Sequence, residues 1–304
     1  MNPTVAGLEL PPLEPSHRLN KVLASALKEQ SLAPIEIGIA PPWNASFFNL
    51  DTVPLFQSSM PLEQTQILAL AGQSLLAESY FIEKAGVGYM AKMTLLAETT
   101  EERMLYALFS ADEATHLAQL TPLVSQGDSL GTSDPFLRLL KSLLESDNRT
   151  VLLFVIQIVL EGWGLSHYRT LSKACCWPEL SNLFRSFLQA EAKHHGVGVA
   201  LFEPEALSAA NQSAIVEAIA PFLQMIRVGP QRLVSAIASV KGELSRAQSV
   251  ALLTDLETER HSGTRLGLLK QLMGSTAPTI VEALDQHNLF SPLPPARCVG
   301  GGVL

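Results

Sequence analysis

Ala111-Asp112-Glu113-Ala114-Thr115-His116 sets a carboxylate and an imidazole three residues apart, and Ala190-Glu191-Ala192-Lys193-His194 does so again seventy-eight residues later. Residues three apart lie on one face of a helix, one turn along, so each pair can project together. Two further glutamates stand among apolar neighbours. Glu78 lies in Leu75-Leu76-Ala77-Glu78-Ser79-Tyr80, and Glu161 follows the run Val151-Leu-Leu-Phe-Val-Ile-Gln-Ile-Val-Leu160. The order along the chain is Glu, Glu-x-x-His, Glu, Glu-x-x-His. A lone Glu-x-x-His is ordinarily a solvated helix face. Two of them, alternating with glutamates embedded in apolar sequence, need another explanation.

The surrounding pattern puts each element on its own helix. Leu62 to Met93 has no proline and repeats apolar residues at helical spacing. Thr99-Thr100-Glu101-Glu102 is a helix start, and Pro122 stops that second helix after Leu120. Ser133-Asp134-Pro135 opens a third helix, expected to run unbroken to about Lys173. Pro178 opens a fourth that ends near Phe202. Glu78 to Glu113 is 35 residues and Glu161 to Glu191 is 30, about two helical arms and a turn each. Four antiparallel helices would thus bring Glu78, Glu113, His116, Glu161, Glu191 and His194 into one core. Four carboxylates buried among apolar side chains are very unfavourable without compensation. Two divalent cations would balance them, and the donor set suits a di-iron or di-manganese carboxylate site.

The rest of the chain sets the context. Its 304 residues allow one large domain or two ordinary ones. Hydrophobic residues are 47% and charged residues 16%, which excludes disorder. The net charge of −8 comes without a basic run, so a nucleic-acid partner is not expected. Cys175, Cys176 and Cys298 are too few for a disulfide scaffold or a four-cysteine zinc site. The opening residues lack a basic and then apolar leader, and the ten-residue run ending at Leu160 is too short to span a bilayer. A cytoplasmic protein without a membrane span is expected.

Residues 1–61 read as a short helix (Ser16 to Gln30) followed by a proline- and aromatic-rich arm in which the prolines exclude a helix. Residues 62–202 are the four-helix bundle. Residues 203–290 hold additional helices at about Glu205–Met225, Gln231–Val240, Ser245–Met273 and Thr279–Gln286. Residues 291–304 read as a flexible tail.

The ligand pattern resembles the ferritin-like superfamily of di-iron carboxylate proteins, whose oxygen-activating members carry Glu and then, some thirty residues on, Asp-Glu-x-x-His. Glu78 and Asp112-Glu113-Ala114-Thr115-His116 match that half. The resemblance covers about residues 62–202 and implies an all-α, ferritin-like four-helix bundle with an N-terminal arm and extra C-terminal helices. It implies that the six residues hold two iron ions, or a manganese–iron pair, and that Asp112 orients His194. Ala190 stands where the second motif would carry the matching aspartate.

The arm, bundle and extra helices are distantly similar to para-aminobenzoate N-oxygenases, although Phe187 replaces their additional histidine. The implied activity is a di-iron oxygenase or oxidase that uses O2 to oxidise a small, apolar organic substrate. No flavin or nicotinamide fingerprint is present, so an external electron donor is implied. A homodimer is one assembly compatible with this reading. Two alternatives stay open here: an iron-handling ferroxidase with no organic product, and a helical module with an empty site.

Some neighbours keep two readings. Gln157, one turn before Glu161, is placed to hydrogen-bond a ligand carboxylate or a metal-bound water. Gly162 and Gly164 mark either a bulged helix beside the metals or close packing of a neighbouring helix.

Overall fold

A computed structural model describes residues 5–14, 16–28, 38, 40–124 and 134–299. Every regular element among them is helical. In chain order these are α1 (Leu19–Lys28), α2 (Pro54–Gln57), α3 (Pro61–Leu96), α4 (Thr100–Leu120), α5 (Pro135–Glu145) and α6 (Arg149–Val151). A π-helical segment, Leu152–Leu160, then leads into α7 (Glu161–Ala174). The remainder are α8 (Pro178–Leu201), α9 (Ala209–Arg227), α10 (Gln231–Lys241), α11 (Arg246–Asp255), α12 (Thr258–Gly274), α13 (Pro278–Gln286) and α14 (Pro295–Cys298). Such an all-helical architecture is compatible with a ferritin-like bundle.

The chain divides into two compact units. The first comprises residues 1–37 and 75–149, the second residues 38–74 and 150–304. Helix α3 contributes Pro61–Ser74 to the second and Leu75–Leu96 to the first.

In the first unit α3 and α4 form an antiparallel hairpin. Thr99 caps α4 by accepting a hydrogen bond from the Glu102 amide at 3.1 Å. The buried residues of α4 are Glu102, Tyr106, Phe109, Glu113, His116 and Leu120. Their spacing alternates between three and four, one stripe of a 3.6-residue helix. Glu102 tolerates burial because Arg149 donates to it at 2.6 Å.

The third helix does not run unbroken from Asp134 to Lys173. Asp134 caps α5 as expected, accepting from the amides of Phe136 and Leu137. The helix then ends at Glu145, and Ser146 is extended. Ser146-Asp147-Asn148 have side chains that compete for backbone hydrogen bonds. The buried Lys92 ammonium completes the stop, donating to the carbonyls of Leu144 and Ser146 at 2.9 and 2.6 Å.

In the second unit α7 and α8 form a tight hairpin. The proline-rich arm is tied to it. Trp43 donates to the Leu171 carbonyl at 3.0 Å, Cys176 to Pro42 at 2.7 Å, and Trp177 to Ala40 at 2.9 Å. Trp43, Tyr168, Phe184 and Phe187 pack there as one buried aromatic group, with Tyr168 stacked on Phe184 and edge-on to Phe187. A second core gathers Leu50, Val53, Phe56 and Ile67 against Leu233, Ile237, Leu252 and Leu256.

Several expectations need correction here. The arm does contain a helix, α2, because Pro54 sits at the first helical position, where a missing amide hydrogen loses nothing. The helix expected over Ser245–Met273 is split at Glu257, whose φ of 48° is left-handed. The helix expected from Glu205 begins at Ala209, after a 3-10 turn at Pro204–Ala206. Part of the tail is ordered: α14 buries Cys298, whose Sγ lies 3.5 Å from the Leu293 carbonyl. Residues 300–304, Ser133, and the stretch 29–37 of the expected first helix and arm lie outside the described residues.

Among the described residues, one continuous helical stretch, Arg149–Ala174, is long and apolar enough to cross a membrane by length and composition. Half of its apolar window is buried within the protein and Glu161 lies in its middle, so it makes no clear span.

Candidate metal centre

Among the described residues, the first unit holds a cluster of potential ligands. Glu83 is 0% exposed on α3, and Glu113 and His116 are buried on α4. Their ligand atoms lie within 4.8 Å of one another. His116 Nδ1 is 3.0 Å from Glu83 Oε2. On α3 the buried residues Leu76, Glu83 and Met90 are seven apart, so Glu83 occupies a core position of the hairpin. Gly86 makes room beside it, since a side chain there would overlap the Glu113 carboxylate.

Glu78 is not part of this cluster. It lies five residues before Glu83, about 140° away around the helix, and is half-buried. Asp112 is also half-buried, one position off the α4 stripe.

The second unit holds a cluster of the same composition. Glu161, Glu191 and His194 present ligand atoms within 4.8 Å of one another. Glu191 and His194 are buried on α8, with His194 Nδ1 3.3 Å from Glu191 Oε2, and Glu161 is half-buried. Glu161 is the first residue after the π segment, and its amide closes an i−5 hydrogen bond to Ile156. The widened turn expected near this glutamate therefore precedes it. Gly162 packs closely: a Cβ there would lie 2.9 Å from Leu272 and 3.0 Å from His195. Gly164 meets nothing within 4 Å.

Gln157 is fully buried and donates to the His194 carbonyl at 2.7 Å. His195 Nδ1 lies 3.2 Å from the Gln157 carbonyl oxygen. Gly198 allows this stitching, because a Cβ there would lie 2.8 Å from Gln157 Cγ. Gln157 thus fixes the backbone of His194, one of the potential ligands.

Glu83 completes a repeat. Glu83 precedes Glu113 by 30 residues, and Glu161 precedes Glu191 by the same 30. Each pair is completed by a histidine three residues on. The equal interval is the signal that could have found Glu83 in the sequence.

The donors fit divalent metal. Each unit offers two carboxylates and one imidazole, and three of the four carboxylates are almost fully buried. Burying carboxylates together is strongly unfavourable unless cations or protons compensate. Two donors bound to one ion at about 2.1 Å and roughly a right angle are about 3 Å apart. The separations of 3.0 and 3.3 Å agree with that spacing. No protein-family model, curated protein or solved structure matches the chain.

Proposed function

We propose that this chain is an oxygen-activating di-metal oxidoreductase that oxidises a small, apolar organic molecule. In this reading Glu83, Glu113 and His116 hold one ion, and Glu161, Glu191 and His194 hold the other. The observation that carries it is the repeated set of two carboxylates and an imidazole, with ligand atoms within 4.8 Å of one another in each unit and five of the six side chains buried. Iron in both positions, or a manganese–iron pair, suits a donor set of four carboxylates and two imidazoles. Such ions, when bound, supply the electrons that activate O2. An external donor replenishes them.

The protein residues have separate work. The four carboxylates balance the charge of two divalent ions. The hydrogen bond between Glu83 Oε2 and His116 Nδ1 holds the two side chains together, as an ion bound by both would require. Gln157 holds the His194 backbone in register with the π segment. Leu152 to Val159 are all buried and exclude water behind Glu161.

Anaerobic reconstitution with Fe(II), followed by an O2 pulse and metal analysis, tests the reading. About two ions per chain, O2 consumption, and oxidation of an added apolar substrate support it. Retention of no metal overturns it. O2 consumption without an organic product in a broad substrate screen replaces it with iron handling.

A further inference from the structure

Gly86 lies inside α3, three residues beyond Glu83 and on nearly the same face. Glycine in a helix interior weakens the helix relative to alanine, so its presence there needs a reason. A Cβ built at Gly86 would overlap Oε2 of Glu113, and would lie 2.6 Å from Glu113 Cδ and 3.2 Å from Cγ. All three nearest atoms belong to one side chain, a carboxylate of the ligand triad. The tightest contacts are therefore with a side chain rather than with the α4 backbone.

Other glycines show the contrast. A Cβ at Gly88 would meet the backbone of Val5, and one at Gly164 would meet nothing within 4 Å.

We propose that Gly86 is a positioning residue of the metal centre: the side chain it lacks is the space in which the Glu113 carboxylate sits beside Glu83 and His116. The inference rests on the metal reading above for its purpose, but not for its steric content. Glu113 is only 3% exposed. A methyl group at Gly86 displaces a flexible carboxylate rather than a helix, so the fold survives while the ligand moves.

A double-mutant cycle in the full chain tests this. Gly86→Ala, Glu113→Ala and the double variant are melted without metal, with Gly164→Ala as the reference for helix propensity alone. The reference raises Tm. Gly86→Ala is expected to lower Tm or leave it unchanged while Glu113 is present, and to raise it once Glu113→Ala has emptied the space. Equal shifts in both backgrounds overturn the proposal, whether or not the protein binds metal. If Gly86→Ala fails to fold, the double variant must fold; its failure also overturns the proposal.

Anaerobic Fe(II) titration gives the second readout. Gly86→Ala is expected to weaken binding about 10–100-fold. Gly86→Ala with Glu113→Asp, one methylene shorter, is expected to recover part of that loss. If the unaltered protein binds iron and Gly86→Ala binds it equally well, the positioning role fails and the metal reading stands. If the unaltered protein binds none, the metal reading fails and the melting cycle alone decides the steric claim.

Discussion

His116 Nδ1 and Glu83 Oε2 meet at 3.0 Å across the α3–α4 hairpin, with both side chains shielded from water. That pairing places a carboxylate of α3 at the Glu-x-x-His pair of α4, and it selects Glu83 over Glu78. Glu83→Ala should therefore remove most of the metal bound by the first triad. Glu78→Ala should leave metal content within error of the unaltered protein. Metal analysis of both variants after identical reconstitution checks this, and the opposite ranking would return the ligand role to Glu78.

Metal should also stabilise the fold measurably. A ligand that binds only the folded state at a free concentration 100-fold above its Kd adds about 2.7 kcal/mol. Loading with Fe(II) or Mn(II) should raise Tm, and a chelator should reverse the rise. In Glu191→Ala the rise should shrink sharply. In metal-free protein the same substitution should cost less than an ordinary core truncation, because it also relieves the crowding of two carboxylates, Glu161 and Glu191, within 4.8 Å. Calorimetry of both forms decides it.

Uptake of metal should release protons. The ligating nitrogen of an imidazole and the ligating oxygen of a carboxylate must carry no proton, and His116 Nδ1 lies within hydrogen-bonding distance of Glu83 Oε2. Anaerobic titration in weakly buffered solution should acidify the medium as Fe(II) is added, and apparent affinity should fall as pH falls. An affinity that stays flat as pH falls would argue that the triad does not bind the ion.

Lys92 should matter well beyond its ion pair. Its partner Asp147 is almost fully exposed, and exposed pairs contribute about 0–1 kcal/mol. The buried ammonium also donates to two carbonyls at the end of α5, and charge-assisted bonds of this kind contribute about 1.5–3 kcal/mol. Lys92→Met should destabilise by about 2–3 kcal/mol, and Asp147→Ala by less than about 1 kcal/mol. Urea unfolding separates the two, and equal losses would show that the surface pair dominates.

The three thiols should react in order of exposure. Cys176 is exposed and should react first with a thiol reagent. Cys175 is half-buried, and burial pushes its thiol up. Cys298, the last residue of α14, is buried, and burial again raises its thiol. Its modification should wait for unfolding of the C-terminal segment. Fast labelling of Cys298 in native protein would show that α14 opens freely.

The helical class, the breaks at prolines and the spacing of Glu113 with His116 and of Glu191 with His194 were all legible in the sequence. Each depends on interactions within one helix, which residue order determines directly. Glu161 was legible too, because a carboxylate ending a nearly unbroken apolar run has few other places to go. The stop at Ser146-Asp147-Asn148 was written in residues that favour turns, but the long apolar pattern on either side hid it.

The choice of Glu83 over Glu78 belonged to the tertiary structure. Helix α3 carries apolar residues around most of its circumference, so periodicity could not say which face meets α4. Contact with His116 and Glu113 chose it. The π segment before Glu161 is another tertiary decision, because Leu152–Leu160 offers no local pattern that distinguishes an i−5 bond from an i−4 bond. Sequence order determined which side chains share a helix face. Packing between helices decided which carboxylate stands opposite which imidazole, because that depends on the rotation of one helix against another.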